Sequence, residues 1–198
     1  MTKKVHYISG IFLIVFITGH LLNHLMILVS PELHISFMEI FRKFYRLPPV
    51  EILLYMAVLI QVFSGTKLLR KKWNNVQSIW DRLQIYSGMF FIYFLIIHPM
   101  AVLYGRYIWH LDTNLYFGAS VLNVNPLVYY FTFHYGLATI AFFTHMACIH
   151  RVKMQSYTSI HLAANQARLL IVLGLIISFL IVYNMMGIDI PKEYLEKY

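Results

Sequence analysis

The residues in this chain best suited to chemistry are histidines set in apolar surroundings. Tyr7 to His24 reads YISGIFLIVFITGHLLNH, and Ile85 to His98 reads IYSGMFFIYFLIIH. In both, a Ser-Gly pair opens an apolar run and a histidine stands ten residues after the glycine, Gly10 to His20 and Gly88 to His98. His24 follows His20 by one turn on nearly the same helical face, and His145 sits in FFTHMACIH further on. An imidazole inside hydrocarbon is costly, so it turns toward a bundle interior and serves as a metal ligand or a hydrogen-bonding group. Two neutral imidazoles on different helices in one dry layer make an axial pair for haem iron. Their competing role is a core pair bonded to carbonyls or to each other.

The elements that must position them are membrane helices. The 198 residues are 60% hydrophobic and 12% charged, with a mean hydropathy of +0.65, against about 25% charged in a soluble domain. Five apolar runs approach the roughly 20 residues that a bilayer crossing takes: 7–28, 50–69, 85–103, 127–149 and 169–186. The expectation is an all-α membrane protein, a single domain over 1–198, with five transmembrane helices: an internally repeated four-helix core plus a fifth helix. Lys3 and Lys4 precede the first run as in a signal peptide, but Leu21 to Ser30 stays bulky with no small-residue cleavage site, so the helix is retained. At 1.5 Å per residue, His20 and His98 both fall in the outer half and can share a layer.

The formal charge of +8 sits in short loops between the runs, which points to membrane lipid and orientation and not to nucleic acid. Counting Lys and Arg on alternate sides gives ten on the amino-terminal side and six on the other, placing the amino terminus in the cytoplasm and the carboxyl terminus outside. The lone Cys148 forms no internal disulfide. Residues 34–46, HISFMEIFRKFYR, carry a broad apolar face at helical spacing and read as an interfacial helix. The long aromatic segment from Gly105 to Pro126 reads as a loop folded over the outer end. Arg42, Arg46 and Arg106 lie on that outer side, as propionate clamps or as headgroup contacts. Glu51 and Asp112 read as isolated acids, and no nucleotide loop, triad or paired carboxylates appear.

A fainter repeat joins the second and fourth runs. Ala57, Gln61, Ser64 and Lys67 share the spacing of Ala141, His145, Cys148 and Arg151, which overlays Gln61 on His145 in the inner half. With GHLLNH around His20, LQIYSGMFFIYFLIIH ending at His98 and FFTHMACIH around His145, the chain resembles the membrane-anchor cytochrome b subunit of succinate:quinone and quinol:fumarate oxidoreductases. The resemblance covers most of the chain. In the five-helix, two-haem type of that family, helices one and three ligate the outer haem and helices two and four the inner one. It implies that His20 and His98 ligate an outer haem, with His24 as the alternative ligand or a partner to a propionate, and that His145 is one inner ligand. Gln61 stands where the other inner histidine is expected, so one haem b is implied. His145 and Gln61 then become a polar place for a quinone headgroup. The resemblance further implies a bacterial inner membrane and electron exchange with quinone. Because the chain has no room for such domains, it also implies flavoprotein and iron–sulfur partner subunits on the cytoplasmic face.

Two other classes remain open on the residues alone. His20, His24, His98 and His134 can all approach one outer layer, as a non-haem copper or zinc site would need. The chain can also be a structural subunit or permease whose histidines only join helices.

Overall fold

The computed structural model describes residues 2–198. Eight α-helices and no strand occur among them: α1 (Thr2–Leu25), α2 (Pro31–Tyr45), α3 (Pro48–Trp73), α4 (Ile79–Tyr107), α5 (Leu115–Ser120), α6 (Leu127–Met154), α7 (Ile160–Met185) and α8 (Lys192–Leu195), with a 3-10 turn at Met26–Leu28 after α1. Local chemistry sets the helix starts. Ser30 accepts from the Leu33 N–H and Pro31 follows at the first helical position, so α2 begins three residues before the expected 34. Ser78 and Asp81 close a capping box at the start of α4, and Ser159 caps α7.

Four helices are long and apolar enough to cross a membrane: α1 with its 3-10 turn, α3, α4 and α7, with mean hydropathies of 2.1, 1.8, 1.7 and 2.2. Their exteriors carry the apolar groups that a soluble protein would bury, Val15 at 71% exposure, Phe63 at 68% and Leu169 at 69% among them. This is a membrane-type helical bundle that meets lipid. The helix over the fourth expected span, α6, has ample length at 28 residues but falls outside that set. Its His134, His145, threonines and tyrosines lower its hydropathy, and it is a heavily enclosed helix, with Ala138, Ala141, Phe142, Thr144, Ala147 and Cys148 buried against α4 and α7.

The long helices close a ring, α1 on α3, α3 on α4, α4 on α6, α6 on α7 and α7 on α1. The first and third runs, α1 and α4, therefore face each other across the interior. One end of the ring is basic, with Lys67, Lys72, Arg151 and Lys153. The other is capped by α2, α5 and α8 around a small core of Ile27, Leu115, Ala119, Ile181, Met185 and Tyr194. The segment after α4 does fold over this end, through α5 and through Trp109 packed on Tyr104, Phe117 and Tyr198.

The helix α2 only partly matches a helix lying flat on the membrane. Its His34 and Met38 are buried, and Phe41 and Tyr45 pack on Phe16 of α1. Ile40 and Phe44 point outward. The apolar face is broad enough to be split between protein and surroundings.

Candidate functional site

The two repeated segments meet in the interior. The rings of His20 on α1 and His98 on α4 have centroids 6.0 Å apart and planes at 61°. Each is backed by an aromatic ring one turn earlier on its own helix: Phe16 stacks on His20 at 5.8 Å and 14°, and Phe94 on His98 at 4.9 Å and 13°. A phenylalanine four residues before each histidine is thus a further landmark of the repeat, visible in the sequence but not used in reading it. The histidine side chains that hydrogen-bond are His6, His24, His34, His134 and His150; His20 and His98, like His110, His145 and His161, have no side-chain hydrogen-bond partner among the described residues. A histidine that joins helices does so through a hydrogen bond, and neither of these two makes one.

His20 and His98 line a cavity walled by Leu13, Ile17, Val58, Phe91 and Leu95 and rimmed at the capped end by Arg46 and Arg106. Two imidazoles bound to one metal at about 2 Å each leave their centroids about 6 Å apart. Spacing, apolar walls and a cationic rim suit a haem held by an axial imidazole pair.

The sequence did not single out His34. It is 2% exposed, and its Nε2 lies 3.3 Å from Nδ1 of His24 and 3.3 Å from Nδ2 of Asn23. Its membership of the protein-facing stripe His34, Met38, Tyr45 was the available signal. His24 lines the same cavity at 4.7 Å from His20, ring to ring, while bonded to α2. Burial, with His20 nearby, pushes the His34 imidazole down from 6.5 to about 4. Docked α2 thus refuses a proton that a released α2 accepts, so docking weakens as pH falls from 6.5 toward 4 and levels off below that. Hydrogen exchange of the α2 amides, corrected for its intrinsic pH dependence, is expected to accelerate through that window in the native chain and not in His34→Leu.

His134 is not part of this group. Phe94 stands between it and His98, with ring centroids at 5.1 and 4.9 Å. Among the described residues no three His, Cys, Asp or Glu side chains converge on one metal position, which leaves the four-histidine copper or zinc arrangement without a site.

The arginines divide. Arg42 pairs with Asp112 at 2.8 Å and Glu39 at 2.9 Å and does not line the cavity. Arg106 pairs with Glu51 at 2.5 Å. The two acids read as isolated are therefore both ion-paired, because the fold brings together residues 55 and 70 positions apart. Arg46 lines the cavity, donates to Thr113 Oγ1 at 2.8 Å and has no carboxylate within ion-pair distance among the described residues.

Toward the basic end lies a second polar layer. Gln61 donates through Nε2 to the His6 carbonyl at 2.6 Å and to Ser9 Oγ at 2.8 Å, tying α3 to α1. His6 Nδ1 meets Ser64 Oγ at 2.9 Å. His145 keeps a buried Nδ1 without a partner. The glycines that open the repeat belong to this layer: a Cβ on Gly10 would lie 3.2 Å from Gln61 Nε2, and one on Gly88 3.3 Å from His145 Cε1. At both places the glycine leaves room for a polar side chain from a neighbouring helix.

Fold and site together define a membrane-type helical bundle with two unpartnered imidazoles facing across an interior cavity. No protein-family model matches the chain, and neither does any curated protein or solved structure.

Proposed function

We propose that this chain is a haem b electron-transfer subunit of a membrane oxidoreductase, exchanging electrons with quinone, as its resemblance to the succinate dehydrogenase anchor implies. The observation that carries the reading is the His20–His98 pair: two imidazoles 6.0 Å apart, without hydrogen-bond partners, on helices that face each other across the bundle. In this reading α6 also crosses the membrane, as the fourth of five spans, the amino terminus is cytoplasmic, the membrane is a bacterial inner one, and flavoprotein and iron–sulfur subunits dock at the basic end. The match of Gly10–Gln61 to Gly88–His145 supports an internally repeated four-helix core.

His20 and His98 would hold the haem, which would supply one-electron chemistry. Phe16 and Phe94 fix the planes of the two imidazoles. Arg46, the rim guanidinium not committed to a carboxylate, would take a propionate with a charge-assisted hydrogen bond; Arg106 would do so only by sharing Glu51. Gln61 is engaged with α1 and is not free to complete a ligand pair with His145, so this reading takes one haem. The apolar walls keep water from the site and so influence its potential.

The test is a dithionite-reduced minus oxidised spectrum of the purified protein with haem quantified per chain. A low-spin b-type spectrum at about one haem per chain is expected. Absence of haem, in protein made with ample haem supply, sinks the reading. His145→Ala is expected to leave that spectrum in place. Halving of the haem in that variant, from two per chain, would mean that another residue completes an inner site.

A further inference from the structure

We propose that Lys3, Lys67 and Lys71, where α1 and α3 meet at the basic end, form a binding site for the phosphate of a phospholipid with net negative charge. The proposal stands whether or not the chain holds haem.

Thr2, Lys3, Lys67, Leu68 and Lys71 line one cavity. Its two walls are tied together one turn deeper. There His6 Nδ1 meets Ser64 Oγ at 2.9 Å, and Gln61 Nε2 donates to the His6 carbonyl at 2.6 Å. His6 follows Lys3 by three residues and Ser64 precedes Lys67 by three, so these bonds fix the backbones that carry the lysines. Lys67 and Lys71 stand four residues apart on one face of α3, a like-charge spacing that destabilises a helix. Lys3 brings a third charge from the facing helix.

No acid of the chain relieves this repulsion. Of its eight acids Asp81 alone lies at the basic end, and Lys72 holds it at 2.8 Å. Neighbouring cations are likewise engaged: Lys153 donates to the Tyr7 hydroxyl at 2.7 Å, and Arg151 lies over the Trp80 ring at 5.0 Å. Lys3, Lys67 and Lys71 are exposed and make no ion pair or side-chain hydrogen bond among the described residues. Three ammonium groups gathered in a cavity without a counter-charge call for an external anion.

The surface beside the cavity selects which anion. Ile52, Met56, Leu59 and Phe63 are 62%, 50%, 49% and 68% exposed and continue the face of α3 that carries Lys67 and Lys71. At 1.5 Å per residue Ile52 to Phe63 spans about 17 Å, close to the hydrocarbon depth of one leaflet, about 15 Å. An apolar track that ends in three ammonium groups complements an acyl chain that ends in a phosphate. A free phosphate would use the lysines and leave the track empty. A zwitterionic headgroup would carry its own ammonium into the cavity, so a net-negative headgroup is favoured.

The experiment titrates the purified full chain in detergent with palmitoyl-oleoyl phosphatidylglycerol and, separately, with the phosphatidylcholine of the same acyl chains. Bound lipid is counted by native mass spectrometry. One phosphatidylglycerol per chain, held at least about tenfold more tightly than phosphatidylcholine, is expected. The triple variant Lys3→Gln/Lys67→Gln/Lys71→Gln is expected to lose that preference. Lys4→Gln/Arg70→Gln/Arg82→Gln removes as many charges from the same end, outside the cavity, and is expected to keep it. Equal loss in both triple variants would mean a diffuse basic surface and overturns the site, as does equal affinity of the native chain for the two lipids. Displacement of the bound lipid by inorganic phosphate would make this a free-anion site and overturns the lipid assignment.

Discussion

His98→Ala is expected to empty the chain of haem. In the proposed reading the alanine removes one of the two imidazoles that would hold the haem, in a cavity of Phe, Leu and Val side chains with no other histidine on α4 to replace it. Loss of a supporting hydrogen bond around a metal site already costs about 10–100-fold in affinity, so loss of the ligand itself is expected to exceed that and to leave less than about a tenth of the haem after purification. His20→Ala is the stricter comparison, because His24 stands one turn away at 4.7 Å. His24 is bonded to His34, and swinging it onto the iron sacrifices that contact and with it part of the hold on α2. Partial retention in His20→Ala that disappears in His20→Ala/His24→Ala would identify that substitution. Full haem content in both His98→Ala and His20→Ala would remove the axial assignment altogether.

Gly174→Ala is expected to give the largest loss of stability from a single added methyl. Its Cβ would lie 2.4 Å from Cβ of Phe143 and 2.8 Å from Cγ. These atoms are attached directly to the α6 backbone, so they cannot swing aside, and α6 and α7 must separate along a seam held nearby by the Ser178 hydroxyl donating to the Gly136 carbonyl at 2.9 Å. Overpacking of this kind costs about 1–3 kcal/mol, which at this chain length corresponds to a fall of about 3–10 °C in the thermal midpoint. Gly19→Ala is the control. Its Cβ would lie 2.8 Å from Cζ of Phe41, the far end of a side chain that can tilt about its Cα–Cβ bond without separating two helix backbones, and a smaller loss is expected. Equal midpoints for Gly174→Ala and the native chain in one detergent would mean that the two helices do not approach so closely.

Much of this protein is written in local pattern. Apolar runs of the right length specify membrane helices because hydrocarbon leaves no other partner for backbone polar groups. Ser30, Ser78 and Ser159 mark helix starts because each side chain satisfies an N–H that the helix cannot. The equal spacing of Gly10 to His20 and Gly88 to His98 sets two imidazoles at one depth, since rise per residue is fixed and spacing converts directly into height. Height is all that such a pattern conveys. Which way a residue faces around the ring, and what it meets there, is set by packing. That is why Phe94 separates His134 from His98, why His34 joins His24 from another helix, and why Gln61 turns to α1. It is also why Glu51 finds Arg106 and Asp112 finds Arg42 across long stretches of chain, leaving Arg46 as the rim cation without an acid. The sequence by itself determined the helices and the depth of the imidazole pair; the partners of each polar group were decided by tertiary structure, because they depend on azimuth and long-range contact that no local spacing encodes.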